Sequence, residues 1–330
     1  MFKKISCLSS TKERPTTKEK ITVVDELRRK YKLKPILKVA KMSKSTYCYY
    51  KEIKHLRAEK RRMDKDSQIL TKVKKIYIKS RLTYGYRRII LSLTADDLKE
   101  LNVGRDRIIK VLRDNNLFGK QGRNHHYHSY KGDNGLDKRN LLLTKEVDEV
   151  TQVVKYVRHF ETTRPNEKWT TDVSEFKIPM GKVYLSPILD MFDSSIIAYD
   201  ISTSPNLEQT MRMLKKGFKK YKHLEGLIFH SDQGWQYQHQ AYIKELKKRG
   251  IKQSFSRKGN CMDNSLMENF FEILKNEMFY GHEDEFNSLN DLIFAIEDYI
   301  KFYNEIRINA KRKGLSPFEY RQQSLSSLQC

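Results

Sequence analysis

The sequence predicts an α/β domain built on a mixed five-stranded sheet with flanking helices, preceded by all-α helix-turn-helix regions. Three observations carry that expectation. Of the 330 residues, 65 are Lys or Arg and 41 are Asp or Glu, and nearly all of the +24 excess lies in one half. Met1 to Pro165 hold 42 basic and 19 acidic side chains, whereas Asn166 to Cys330 hold 23 and 22. At Lys168 the apolar pattern changes from helical spacing to short runs bounded by turn residues. A basic half favours a polyanionic partner, and a near-neutral half is free to carry acidic chemistry.

With 15 Phe, 19 Tyr and 2 Trp the chain can fill compact cores. No apolar run approaches the roughly 18 residues of a membrane span, and Met1 to Arg14 lack the apolar centre of a signal peptide, so a soluble cytoplasmic protein is expected. The cysteines Cys7, Cys48, Cys261 and Cys330 form no C-x-x-C pair, which argues against zinc ribbons and a disulfide-stapled fold.

After a flexible segment over 1–20, a first helix-turn-helix is expected within 21–55. Val23, Val24, Leu27 and Tyr31 fall at helical spacing, Ile36, Leu37 and Val39 mark a second helix, and Lys41 and Met42 form a turn. Ser43 caps a third helix through Tyr50. Lys44 and Ser45 in its first turn are candidate DNA contacts, since short polar and cationic groups there meet phosphates and base edges. A second helix-turn-helix-like unit is expected over 60–120. Ile69, Val73, Ile76 and Tyr77 form a stripe, Thr83 to Arg88 turn into a second helix, and Val103 to Arg107 open a third. Arg87, Arg88, Arg105 and Arg107 are candidate DNA contacts. A basic linker over 121–164 follows; its His125, His126 and His128 read as solvated loop residues in preference to a metal site.

Within 165–280 the expected strands are Trp169–Ile178, Val183–Met191, Ile196–Ile201, Leu227–His230 and Gln253–Phe255, with helices over Asn206–Tyr221 and Gln240–Arg249 and a third beyond. The first three strands, joined by short links, should form an antiparallel meander. The order β-β-β-α-β-α-β-α is that of a ribonuclease H-like fold. A helical extension over 281–330 carries the stripe Leu292, Ile293, Ile296, Tyr299, Ile300 and Tyr303, which reads as a helix capping the sheet domain, with a subunit interface as the alternative.

Three carboxylates stand out. Asp172 lies within the first expected strand, where a charge is expensive unless a cation or partner compensates it. Asp232 ends the fourth strand, and Glu268 borders the apolar stripe of Met267, Phe271 and Leu274 on the last helix of the domain. Asp190, Asp193 and Asp200 compete for the same roles but read as turn or surface residues. His230 is divided between core packing and substrate contact. The spacing decides: 59 residues separate Asp172 from Asp232, and 35 separate Asp232 from Glu268.

This D-D-35-E pattern, with the words Thr171-Asp172, His230-Ser231-Asp232-Gln233-Gly234, Ser256-Arg257-Lys258-Gly259-Asn260 and Met267-Glu268-Asn269-Phe270-Phe271, resembles the catalytic core of retroviral integrases and bacterial insertion-sequence transposases. The similarity is closest to the second-reading-frame (OrfB-type) product of two-frame elements, and it extends from Ser43-Lys44-Ser45-Thr46-Tyr47 to Gly314-Leu315-Ser316-Pro317.

The resemblance implies a DDE-type polynucleotidyl transferase that cuts and joins strands at element ends, a bacterial, nucleoid-associated protein. It makes Asp172, Asp232 and Glu268 the catalytic and metal-holding residues, with Asp172 shared between two ions. Oxygen-only ligands suit Mg²⁺, with Mn²⁺ as a substitute, and two hard cations assist in-line displacement at phosphorus. Arg257, Lys258 and Lys275 are candidate phosphate contacts near the scissile bond, Lys275 matching a basic position of the family. The implied partners are double-stranded DNA at element ends and target, other copies of the chain on DNA, and an upstream-frame product, as a fusion where one forms, because no sustained heptad zipper is found here. The alternatives are a non-catalytic DNA-binding repressor and a ribonuclease H-like nuclease.

Overall fold

The computed structural model describes residues 16–120, 139–148 and 154–328. The chain divides into two compact units, one of Met1–Lys74 with Lys99–Val111 and one of Lys75–Leu98 with Leu112–Cys330. The expected flexible segment lies mostly outside the described residues. So do the linker histidines His125, His126 and His128.

In the first unit, α1 (Thr17–Leu27), α2 (Leu33–Val39) and α3 (Lys44–Lys51) close around Val24, Leu27, Ile36, Leu37, Ala40 and Tyr47. Thr16 and Glu19 cap α1 reciprocally, and Ser43 Oγ accepts from Thr46 N at 3.0 Å to start α3. Lys41 turns the chain between α2 and α3 with a left-handed φ of 48°. Tyr31, expected on the first stripe, is exposed because α1 ends at Leu27. The next helix, α4 (Ile53–Lys79), begins seven residues before the expected second unit at residue 60, since the stretch from Ile53 is charged but contains no breaker. Three shorter helices follow: α5 (Tyr86–Ser92), α6 (Ala95–Leu101) and α7 (Arg105–Asp114). Of these α6 was not expected; Thr94 caps it through Asp97.

The second unit is organised by one sheet. β3 (Lys168–Thr171) and β4 (Ser174–Ile178) both pair antiparallel with β5 (Gly181–Asp190) in one unbroken register. The expected single run Trp169–Ile178 is therefore two strands in one lane. By that register Asp172 faces Pro187, which has no N–H to donate, and the ladder opens there. Asp172 thus stands at a strand end and not inside a strand. β6 (Ile196–Ser202) pairs the other flank of β5, while β7 (Ile228–Ser231) runs parallel to β3 and β8 (Lys252–Phe255) parallel to β7. Six strands fill the five expected lanes, and the sheet is mixed.

Both faces are covered. On one, α8 (Leu207–Lys220) and α10 (Gln240–Lys247), the latter preceded by the single turn α9 (Trp235–Gln238), bury Trp169, Ile188, Met213, Leu214, Phe229, Tyr242 and Leu246. Gly217 permits the close approach of α8: a Cβ there would sit 3.0 Å from Ile188 Cδ1. On the other face, α11 (Ser265–Leu274) and α12 (Leu289–Glu305) pack Met267, Phe270, Leu274, Leu292, Ile296 and Tyr299 against Phe176, Val183 and Leu185. The expected capping stripe on α12 is thus part of the sheet's own core. The final helix α13 (Pro317–Leu328) sends Arg321 to Asp190 and Asp193.

Two corrections follow. Asp190, Asp193 and Asp200 are buried, not surface residues, because each meets a cation: Arg321 for the first two, and Arg212 with Lys216 for Asp200. Within the expected linker, β1 (Leu143–Val147) and β2 (Val154–Arg158) form an antiparallel ribbon. Its strands are mostly exposed and mix charged with apolar side chains, which hid them from a hydrophobic pattern.

Candidate active site

Two acidic residues emerge side by side from the sheet. The parallel register of β3 and β7 pairs Thr170 with His230, so two steps further along it brings Asp172 level with Asp232, each just beyond its strand. The carboxyl end of parallel strands is where open sheets gather ligands, because the chain leaves the hydrogen-bonded ladder there and side chains are free to turn. Asp172 Oδ1 accepts from Val173 N at 2.7 Å, and Asp232 Oδ1 accepts from Gly234 N at 2.9 Å. Any side chain at Gly234 would press on Asp232 Oδ1, 3.0 Å from a Cβ built there.

Helix α11 brings the third carboxylate. It is tied to the end of β3 by Asn264, whose Oδ1 accepts from Thr170 Oγ1 and whose Nδ2 donates to Thr171 O at 3.3 Å. Asn264 stands one turn before Glu268, on nearly the same line of the helix. Met267, Phe270, Phe271 and Leu274 bury the inner face of α11, and half-buried Glu268 sits at its rim.

The charges of the other two carboxylates act on Asp172. Burial, then the charge of Asp232, and to a lesser degree that of Glu268, push the Asp172 carboxyl up to about 8, against the pull of the Val173 N–H and Lys275. Burial also raises Asp232. Such crowding of carboxylates is costly unless cations share the site. Among the described residues no group of three or more His, Cys, Asp or Glu side chains stands at metal-holding distance. The donor set is nonetheless all oxygen and excess negative, which fits a hard divalent cation.

Lys275, seven residues after Glu268, opens a π-helical turn over Lys275–Phe279 and lies over the Phe176 ring at 5.0 Å. Burial lowers its ammonium pKa, while Glu175 and Asp172 draw it back up. His230 is buried between Ser254 Oγ and Ser256 Oγ, each 2.9 Å away, and burial holds its ring down at about 4; it therefore packs as a neutral core residue.

The remaining candidates differ in exposure. Lys44, Ser45, Arg87, Arg105 and Lys258 are exposed. Arg88, Arg107 and Arg257 differ from the expectation of available cations, because each guanidinium already holds a carboxylate. Arg107 grips Asp66 through Nε and Nη2, both at 2.6 Å. Arg88 reaches Glu277 at 3.3 Å. Arg257 binds buried Asp263 through Nε at 2.9 Å and Nη2 at 3.0 Å, and stacks on Tyr156 of β2. Asp263 also receives Arg158 Nε at 2.9 Å and Asn140 Nδ2 at 3.1 Å, so one carboxylate ties the ribbon and the loop after β8 to the start of α11. Neither Asn264 nor Asp263 was singled out as a site residue; the signal available was their place one turn ahead of Glu268.

The chain is similar to known proteins over most of its length. Residues 162–261 match a family described as integrase core domain, 268–325 match a second integrase core domain model, and 64–125 match an HTH-like domain. The chain is 40% identical over 302 residues, 92% of its own length and 98% of the relative, to the putative transposase InsK for insertion sequence element IS150 of Escherichia coli K12. It is 48% identical over 221 residues, 66% of this chain and 94% of the relative, to an uncharacterized transposase-like protein of Haemophilus influenzae. Among solved structures, the HTLV-2 integrase catalytic core domain in complex with magnesium aligns with 49% of this chain and 99% of that one, at 19% identity and a TM-score of 0.40.

Proposed function

Because the chain belongs to the insertion-sequence transposases built on an integrase core domain, we propose that it cuts and joins DNA strands at element ends through Asp172, Asp232 and Glu268. The observation that carries this reading is the level placement of Asp172 and Asp232 at the carboxyl ends of adjoining parallel strands, with Asn264, one turn before Glu268, bonded to Thr170 of the first of them. Divalent magnesium is the group this donor set suits, with manganese as its substitute, and Asp172, Asp232 and Glu268 are the residues that would hold it, as two ions. When bound, the ions supply Lewis-acid stabilisation of the charge that builds on the attacking and leaving oxygens.

The side chains do the rest. The N–H groups of Val173 and Gly234 orient the two aspartates, each through one carboxylate oxygen. Lys275 adds positive charge beside Asp172 and a donor for a phosphate oxygen. With the guanidinium of Arg257 held by Asp263, Lys258 is left as the exposed cation of the loop after β8 and the contact to the flanking backbone. In the helical regions Lys44, Ser45 and Arg105 of the first unit, and separately Arg87 of the second, are the contacts for duplex phosphates and base edges. Water attacks the phosphorus at the element's end and displaces the element's 3′-oxygen, which takes up a proton from the water; that 3′-hydroxyl then attacks a target phosphodiester, and the displaced target 3′-oxygen takes up its proton.

End recognition is shared with other chains: copies of this protein on DNA, and an upstream-frame product carrying the zipper this sequence lacks. The site of action follows from the DNA substrate, the bacterial cytoplasm and nucleoid; no helix among the described residues is long and apolar enough to cross a membrane.

Asp232→Asn and Glu268→Gln test the reading in the full chain. Each should reduce divalent-dependent cleavage and strand transfer by at least about 100-fold, on the scale of losing a principal electrostatic group, with gel shifts of end DNA unchanged. Strand transfer near the wild-type rate by either variant rejects the assignment and leaves the repressor reading.

A further inference from the structure

The sheet has a second charged end. Where the chain enters β3, β7 and β8, the segments Arg164–Asn166, Lys222–Glu225 and Lys248–Gly250 surround an open pocket of about 720 Å³. These strands run parallel, so the pocket lies at their amino ends, opposite the end that carries Asp172 and Asp232. Six residues of extended chain between Asn166 and Asp172 put the two ends roughly 20 Å apart, too far for one phosphate to touch both. Through Arg249 the pocket continues into a groove of about 590 Å³ along α8, lined by Lys215 and Lys219.

The charges along this band are not explained by the fold. Arg249 pairs with Glu245, and Arg212 beside it with Asp200. Arg164, Lys215, Lys219, Lys222 and Lys248 are exposed, and none has an ion pair among the described residues. Lysines at the last turns of α8 and α10 complement helix dipoles, but that reason does not reach Arg164 or Lys222, which lie outside helices. The concentration is local, because residues 166–330 as a whole carry nearly balanced charge.

We propose that this band is a second DNA-binding surface, tracking the sugar–phosphate backbone of a duplex other than the one under the carboxylates. Long, exposed cations lining adjoining hollows suit phosphates spaced along a strand. A protein partner is disfavoured: interface cores are depleted of Lys, and of the groove's large apolar side chains Leu214 and Phe218 are buried and Met211 is half-buried. The surface would give one chain a hold on two DNA segments, as a joining reaction requires. The inference rests on the strand-joining reading only for that use.

The test combines Lys215→Ala, Lys219→Ala and Lys222→Ala in the full chain, residues with no part in the carboxylate site. In buffer free of divalent ions, binding to a duplex of arbitrary sequence should lose about 2 to 3 units of log–log salt slope, near 0.9 for each phosphate contact removed. Capture of a second, labelled duplex by protein already on an immobilised one should fall at least about five-fold, while cleavage of a single supplied end stays within about two-fold. Unchanged slope and capture overturn the proposal. So does a parallel loss of cleavage in a folded variant, which would assign the band to the same duplex as the active site, or a loss of self-association with DNA binding intact. Asp232→Asn keeps the band; if it captures the second duplex normally while failing to cleave, the two readings are separated.

Discussion

Asn264 and Thr170 are joined by a buried hydrogen bond in which the threonine hydroxyl donates to Asn264 Oδ1. The bond fixes the first turn of α11 against the strand that delivers Asp172, and so sets the approach of Glu268 to that aspartate. Asn264→Ala breaks this bond and the one to Thr171 O. It should cost about 1–3 kcal/mol of stability and lower strand transfer at least about ten-fold, with end binding unchanged. Thr170→Val, which leaves the Thr171 bond, should show a smaller loss of the same kind. Thermal melts, gel shifts and strand-transfer rates measured together decide it; normal transfer by Asn264→Ala would refute the positioning role.

Asp263 predicts an acid limb of stability. Burial alone would raise its carboxyl, but the bonds from Arg257 and Arg158 outweigh burial and hold it at about 2, below its ordinary 3.8. A depressed folded pKa stabilises above the unfolded value, and the benefit is lost as pH falls through the folded one. Between about pH 4 and pH 2 the second unit should therefore lose on the order of 1–2 kcal/mol from this residue, allowing for solvent screening. Asp263→Asn should be less stable at pH 7 and show a shallower acid limb in urea titrations.

The sign is opposite for Asp172. Its folded pKa of about 8 stands above 3.8, so stability is fullest below pH 4 and declines as pH rises toward 8. Without divalent ions, Asp172→Asn should be more stable than wild type at pH 8 and little different at pH 4. Millimolar Mg²⁺ should raise the wild-type Tm at pH 8, at ~2–4 °C per kcal/mol gained in a unit of this size, and leave the Asp172→Asn Tm nearly unmoved. Equal shifts in both proteins would place the cation elsewhere.

A fourth expectation concerns buried Glu277. It accepts from Arg307 Nε at 2.8 Å and Nη2 at 2.6 Å, from Tyr299 Oη at 2.8 Å and from Arg88 at 3.3 Å. Glu277→Gln leaves Arg307, almost wholly buried, without its counter-charge, and should destabilise the second unit by about 3–5 kcal/mol. Arg88→Met should cost less, since Arg88 is only half-buried and holds one oxygen. Urea midpoints for the two variants provide the comparison.

The sequence alone determined the division into a basic helical half and a near-neutral half built on strands and helices. Charge division, the change of period at Lys168 and the Asp172, Asp232 and Glu268 spacing are local facts, and Ser43 was legible as a cap because an N-cap depends on neighbours three residues away. The ribbon β1–β2 was not legible, because its exposed strands alternate too weakly to mark a buried face. Nor was the break at Asp172: its cause, Pro187, is opposite in the sheet and fifteen residues away in sequence. The tertiary structure alone decided which cations are already spent. Arg88, Arg107 and Arg257 look in sequence like Lys44 or Lys258, but a guanidinium's partner is chosen by what folding brings beside it, and only folding set Glu277, Asp66 and Asp263 there.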